Sequence, residues 1–247
     1  MTDQAPIPPH PTLRTFYSAD AERQGYINDL FDRSSRDYDW INQVMSLGSG
    51  YRYRAEVLRR TGMTAGMRVL DVATGTGPVA AAAREIVGVS GVVIGVDPSA
   101  GMLHVAREKI GSRVVQSVGE TLPFRSDWFD ILTMGYALRH VSDLRAAFDE
   151  YRRVLKPGGE VVIMEISVPP SKFAARMLRG VIGRVMPAIA RLGRRGADSA
   201  RMMRYYWATT ETCVPPDVIL GALRDAGFRD VRRDLQWTVF AEYRGVK

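Results

Sequence analysis

The sequence predicts an α/β fold built from βαβ units around a parallel sheet. Three observations carry that reading. From residue 67 onward, short apolar runs alternate with amphipathic stretches of helical period. The first apolar run ends in an acid and passes into a glycine turn, Thr74-Gly-Thr-Gly77. Farther on, Lys156-Pro-Gly-Gly159 stops a helix sharply just before another apolar run, since proline cannot continue a helix and glycine permits the turn.

The elements follow in order. Residues 12–60 read as helical and irregular, with one helix over Asp20–Phe31 and the end of another at Arg54–Arg60, stopped near Gly62. The first strand is Met67–Val72, followed by an alanine-rich helix over Val79–Val87. The second strand is Gly91–Val96. Ser99 caps the next helix, which sets Met102, Leu103, Ala106 and Ile110 on one face. Strand three is Arg113–Val118, and strand four, Phe129–Tyr136, follows the turn Pro123–Trp128. A helix over Asp143–Leu155 turns Leu144, Phe148, Tyr151 and Leu155 inward, and strand five is Glu160–Val168. A last helix, Asp217–Ala226, is stopped by Gly227, and strand-like pieces at Val231–Gln236 and Thr238–Tyr243 close the chain.

Composition narrows the chemistry. The hydrophobic fraction of 46% and charged fraction of 25% are those of a globular domain. A single cysteine, Cys213, excludes an internal disulfide and the usual cysteine-rich zinc sites, and only three histidines make a zinc hydrolase a poor fit. A reducing, cytoplasmic compartment is expected. The proline-rich start lacks the apolar core of a signal peptide and reads as a disordered lead-in over residues 1–15, ahead of a single domain over 16–247. No run of about eighteen apolar residues predicts a membrane span.

The net charge of +7 invites a nucleic-acid partner, but its distribution argues against one. Between Ser171 and Arg204 stand nine basic residues (Lys172, Arg176, Arg179, Arg184, Arg191, Arg194, Arg195, Arg201 and Arg204) and one acid, Asp198. That segment carries +8 and the remainder of the chain −1. Residues 171–210 are accordingly expected to form a basic helical cap. Within it Phe173, Met177, Val181, Val185, Ile189 and Leu192 fall near one face with arginines between them. A basic amphipathic helix of this kind can lie on an anionic bilayer, or it can cap a pocket with a solvated face.

The sharpest chemical signal is Val69-Leu-Asp71-Val-Ala-Thr-Gly75-Thr-Gly77, with Asp97 ending the next strand. Glycines let the backbone approach a ligand where a Cβ would collide, and a carboxylate at Asp97 can take both hydroxyls of a ribose. Two cofactors fit. Gly75-Thr-Gly77-Pro-Val-Ala80 matches the dinucleotide pattern G-x-G-x-x-A. A dinucleotide, however, would bring its pyrophosphate against Asp71. S-adenosylmethionine has no phosphate, and its ammonium and sulfonium are favoured by a nearby carboxylate.

On these residues the sequence resembles the class I S-adenosylmethionine methyltransferases, and within them the ubiquinone/menaquinone biosynthesis C-methyltransferases. Beside the glycine block, the resemblance rests on Phe31 with Tyr38-Asp-x-x-Asn42 and Met45-Ser-x-Gly48; Asp97-x-Ser-x-x-Met102-Leu; Leu122-Pro-Phe with Trp128-Phe-Asp130; and Leu138-Arg-His-Val141 followed by Arg153-Val-Leu-Lys-Pro-Gly-Gly159. It spans residues 31–247.

The resemblance implies a Rossmann-like, doubly wound, mostly parallel sheet with an antiparallel C-terminal hairpin. It places donor contacts at Thr76, at Asp97 for the ribose, at Val118 and Gly119 beside the adenine, and at Gly135, to which the residue reading adds Asp71, Gly75 and Gly77. The chain departs from the family at Pro78, at Val118-Gly119, at His140 and around Trp237–Glu242. Valine cannot bond the adenine amino group, so that contact falls to backbone or to Glu120. The implied function is S-adenosylmethionine-dependent C-methylation of a prenylated benzoquinol or naphthoquinol. Arg139 is expected to stabilise phenolate charge and His140 to accept a proton. Tyr38, Asn42, Tyr205, Tyr206 and Trp207 are candidates to line the acceptor pocket. A different hydrophobic acceptor (a sterol, polyketide or other secondary metabolite) and a non-catalytic binding module of the same fold are the rival readings. Expected partners are a small aromatic substrate, a peripheral membrane contact through 172–195 and a second copy in a homodimer, with no nucleic acid.

Overall fold

A computed structural model describes residues 5–46, 48–194 and 196–247. Seven strands form one sheet: β1 (Arg68–Val72), β2 (Val92–Asp97), β3 (Val114–Gln116), β4 (Phe129–Gly135), β5 (Leu155–Ile166), β6 (Arg229–Gln236) and β7 (Phe240–Val246). Their order is β3-β2-β1-β4-β5-β7-β6. β1 is parallel to β2 and β4, β2 to β3, and β4 to β5, while β7 runs antiparallel to both β5 and β6. This is the doubly wound sheet with an antiparallel hairpin that the resemblance implies. The order reverses between β1 and β4, which opens a crevice at the carboxyl ends of those strands.

The interior strands are buried on both faces, so they read as apolar runs rather than as alternation. Against one face pack α5 (Leu144–Val154) and α9 (Pro216–Asp225), which enclose Leu132, Phe148, Tyr151 and Leu223. Against the other pack α2 (Gly50–Arg59) and α3 (Pro78–Val87), with Val57, Leu58, Ala83 and Val162. α4 (Ala100–Ile110) is capped by Ser99, whose Oγ accepts the Met102 N–H at 3.0 Å.

A third cluster joins α1 (Asp20–Ser46) to the basic segment, which forms α6 (Lys172–Gly180), a π-helical turn (Val181–Val185), α7 (Met186–Ala190) and α8 (Gly196–Glu211). Pro187 falls in the first turn of α7. Arg195, counted in the basic segment, lies outside the described residues, as do residues 1–4 of the expected lead-in.

Several boundaries differ from expectation. α1 continues fifteen residues past Phe31 to Ser46. Its apolar period is interrupted by Ser34, Ser35 and Asp37, which are buried. Asp37 accepts hydrogen bonds from Ser199 Oγ (2.9 Å) and the Arg194 N–H (3.2 Å), so polar partners in the cap replace the apolar contacts that the period requires. β3 shrinks to three residues, having one neighbouring strand only. The hairpin turns at Trp237 and Thr238, both at positive φ as the tight turn between antiparallel strands demands, and β7 runs on to Val246. Within the described part of the expected lead-in, residues 7–10 touch the domain. Pro9 and His10 are buried, and the carbonyls of Ile7 and Pro9 accept the backbone N–H groups of Leu144 and Val214.

Among the described residues, no helix is long and apolar enough to cross a membrane.

Candidate active site

The loop after β1 enters the crevice. Gly75 and Gly77 adopt φ of +57° and +84°, and a Cβ on Gly77 would stand 3.4 Å from that of Ala106, so the loop lies close on α4. Gly75 donates its N–H to Asp97 Oδ2 at 2.8 Å, and the Ser99 N–H binds Oδ1 at 2.9 Å. Burial pushes the Asp97 carboxyl up to about 6 against those two bonds.

Asp71 sits behind the loop, where it accepts hydrogen bonds from Thr74 Oγ1 (2.6 Å) and Thr133 Oγ1 (2.7 Å). Burial raises it to about 6 as well. It braces β1, β4 and the loop and is not among the residues that line the crevice.

Two cavities meet here. The first is bounded by Gly75, Asp97, Met102, Gly135, Tyr136 and His140, and roofed by Phe31 and Tyr38 of α1. Its volume is about 60 Å³, small against the roughly 300 Å³ or more of ordinary ligand sites. The reason is that α1 is clamped down over it. Asp32 Oδ1 accepts from Ser99 Oγ (2.5 Å) and the Gly101 N–H (2.8 Å), and Asp39 accepts from Thr76 Oγ1 (2.5 Å) and Lys109 Nζ (2.6 Å).

The second cavity, about 180 Å³, lies between α1, α2, the β6–β7 hairpin and the cap. Tyr38, Asn42, Tyr53, Arg54, Tyr136 and Tyr206 supply its polar groups, and Leu178, Ile182 and Met186 are among its apolar ones. Tyr38 and Tyr136 border both cavities. Burial raises the Tyr38 phenol, and the Asn42 side chain opposes the rise by hydrogen-bonding it.

The structure brings together Gly75, Asp97 and Gly135 around the first cavity, and Tyr38, Asn42 and Tyr206 around the second. Other expected site residues fall elsewhere. Thr76 turns its hydroxyl to Asp39. Gly119 packs on Tyr151, whose hydroxyl would lie 2.7 Å from a Cβ there, and neither Gly119 nor Val118 borders the first cavity. Glu120 is engaged by the Ser142 amide. Trp207 is one position beyond Tyr206 and so about 100° around α8. It faces Gly183 and donates its indole N–H to Glu211 at 3.0 Å, away from the cavity. Tyr205 stacks on His140 with ring centres 5.6 Å apart.

Arg139 lines neither cavity. It is fully buried, 2.9 Å from the Glu165 carboxylate, and donates to Tyr136 O and Thr210 Oγ1 at 3.1 Å each. Its guanidinium lies 4.3 Å from the ring centre of Tyr206. It therefore holds two cavity walls and does not face their contents. His140 borders the first cavity only. Desolvation, then the charges of Arg139 and Arg23, depress its pKa well below the usual 6.5, which leaves a neutral, weakly basic ring.

Sequence reasoning missed Tyr136 and Arg54. The first was read as the end of strand four; it stands at φ +62°, and the Arg139 bond to its carbonyl helps hold it there. The second was read only as the opening of a helix end.

The residues present fit S-adenosylmethionine. Asp97, a carboxylate with no basic partner among the described residues, borders the first cavity beside a glycine cradle, and among the described lining residues there is no lysine or arginine to bind a pyrophosphate.

Comparisons with known proteins agree. Residues 18–247 match the model of the ubiE/COQ5 methyltransferase family. The chain is 34% identical to a demethylmenaquinone methyltransferase of Clavibacter sepedonicus and 32% identical to a ubiquinone/menaquinone biosynthesis C-methyltransferase UbiE of Pectobacterium atrosepticum, each match covering 92% of both chains. In fold it is similar to phosphoethanolamine N-methyltransferase 2 of Haemonchus contortus, solved with S-adenosyl-L-methionine: the TM-score is 0.60 at 20% identity, over 96% of this chain and 60% of that one.

Proposed function

The chain belongs to the ubiE/COQ5 methyltransferase family, and on that premise we propose that its acceptor is a prenylated benzoquinol or naphthoquinol, methylated on a ring carbon. It is an S-adenosylmethionine-dependent methyltransferase of quinone biosynthesis. The observation that carries the acceptor reading is the shared wall: Tyr38 and Tyr136 separate a nucleoside-type cleft from a larger aromatic and apolar chamber.

Bound S-adenosylmethionine supplies a methyl group on a positively charged sulfur, open to in-line displacement. The protein's part is to align and to exclude water. In this reading Asp97 takes the ribose hydroxyls, while Gly75, Thr76, Gly77 and Gly135 shape the cleft and Asp71 braces it. Val118 and Gly119 belong to the loop at the adenine end. Tyr38, Asn42 and Tyr206 hold the ring. Arg139 is a positioning residue that fixes Tyr136 and Tyr206, and a neutral His140 closes the donor side.

The cap supports delivery of a lipid-borne acceptor. Phe173 is 71% and Leu192 81% exposed, and Met177, Val181 and Val185 are exposed on the same segment. Arg176, Arg184 and Arg191 are exposed among them. Val181 also borders the acceptor cavity, so the chamber reaches the face that an anionic bilayer would cover.

The test is incubation of the protein with S-adenosylmethionine and short-chain demethylated quinols under reducing conditions. A product one methyl heavier, with the new group on ring carbon by NMR, is expected. O-methylated product, or turnover only of a non-quinol acceptor, would overturn the reading.

A further inference from the structure

Arg54 stands out among the arginines around the two cavities. Arg139 is paired with Glu165, and Arg60 and Arg244 both reach Glu242. For Arg54, no carboxylate lies within ion-pair distance among the described residues; its buried Nε, like those of Arg139 and Arg244, has no hydrogen-bond partner. Its guanidinium lies 5.3 Å from the ring centre of Tyr136, the residue shared by both cavities, and it lines the acceptor chamber. A missing side chain makes room for it: a Cβ on Gly50 would stand 2.8 Å from Arg54 Nη1. A partly desolvated cation with no carboxylate beside it, lining an aromatic chamber, is a site for an anion. Its charge already favours the ionised forms of Tyr38 and Tyr136.

We propose that Arg54 binds the ionised hydroxyl oxygen of the quinol while the ring carbon is methylated. The inference rests on the quinol reading above and assigns that site its charged contact. The electron balance explains the need. The ring hydroxyl releases its proton, and the oxygen's electron pair flows into the ring. The carbon–methyl bond forms as the sulfur–methyl bond breaks, and sulfur keeps that pair. Loss of the ring hydrogen as a proton restores aromaticity, and the oxygen takes a proton back, so that one proton is released to solvent overall. Negative charge on oxygen is greatest just before the methyl moves, and a cation placed there lowers that barrier.

The experiment uses 4-nitro-1-naphthol, whose ionised form absorbs visible light, bound to the full chain with S-adenosylhomocysteine. In the wild type the bound phenol should ionise at least one pH unit below its value in water, as an adjacent cation dictates. Arg54→Lys should keep most of that shift, and Arg54→Met should lose it. With quinol, Arg54→Met should lower kcat about 100-fold with little change in KM, move the kcat–pH profile to higher pH, and leave donor affinity unchanged. Arg54→Gln provides the same comparison if the methionine variant does not fold. Equal ionisation of the bound phenol in wild type and the neutral variants, or an unmoved pH profile, would overturn the proposal. A clear Arg54-dependent shift without methylation of any quinol would sink the acceptor reading and leave Arg54 as a phenolate site.

Discussion

The Glu165 carboxylate and the Arg139 guanidinium meet at 2.9 Å, both buried. Glu165 also accepts the Leu138 N–H at 2.8 Å, so it fixes the turn that carries Arg139. Removing one member of such a pair strands the other charge. Glu165→Ala should cost about 3–5 kcal/mol of stability, measured by urea unfolding. Arg139→Lys should be nearly as damaging as Arg139→Ala, because an ammonium cannot reproduce the planar fork that reaches Glu165, Thr210 and the Tyr136 carbonyl together. Full activity in Arg139→Lys would contradict the positioning role.

Donor affinity should depend on pH through Asp97. Its carboxyl is raised to about 6 from an ordinary 3.8, and a cationic ligand prefers the ionised form. Calorimetry should therefore show S-adenosylmethionine binding tighten between pH 5 and pH 7, a trend that Asp97→Asn abolishes along with most affinity. Stability has the opposite sign. Between about 4 and 6 the folded protein holds protons on Asp97 and Asp71 that the unfolded chain has released, so stability declines as pH rises through that window. A flat affinity profile from pH 5 to 7 would refute the assignment of Asp97.

Asp32 and Asp39 should control donor exchange. Each links α1 to the donor loop or to α4 through two hydrogen bonds. Asp32→Ala and Asp39→Ala should speed dissociation of bound S-adenosylhomocysteine by roughly two- to tenfold each, in line with the net worth of a hydrogen bond. Stopped-flow fluorescence would measure it, and unchanged rates in both variants would remove α1 as the clamp.

Association with vesicles should require anionic lipid. Charge reversal at Arg176, Arg184 and Arg191 should reduce partitioning by about a hundredfold or more, since each cation near an anionic surface contributes about 1 kcal/mol. Flotation that ignores lipid charge would refute the membrane face.

The sheet was legible because its cues are local. Apolar runs, glycine stops and the pair of strand-ending acids at Asp71 and Asp97 fix strand positions and the donor loop without reference to distant residues. What escaped depends on distant partners. Asp37 within α1 looks like a solvated position until Ser199 and the Arg194 amide meet it. The burial of Arg139 against Glu165 could not be read locally, because that partner is twenty-six residues away. Tyr206 and Trp207 were indistinguishable in sequence, and only the rotation of α8 separates the cavity wall from the buried face packed on Gly183 of the cap.

α1 has a kinetic consequence. The same rod that roofs the first cavity, through Phe31 and Tyr38, also gives Asn42 and Met45 to the neighbouring chamber. If the first guest enters by lifting this rod, the berth of the second comes apart with it and re-forms when the rod settles. Turnover should therefore be ordered, with the sulfonium compound boarding first and its spent thioether leaving last; product-inhibition kinetics should show the spent form competing with fresh donor but not with the ring.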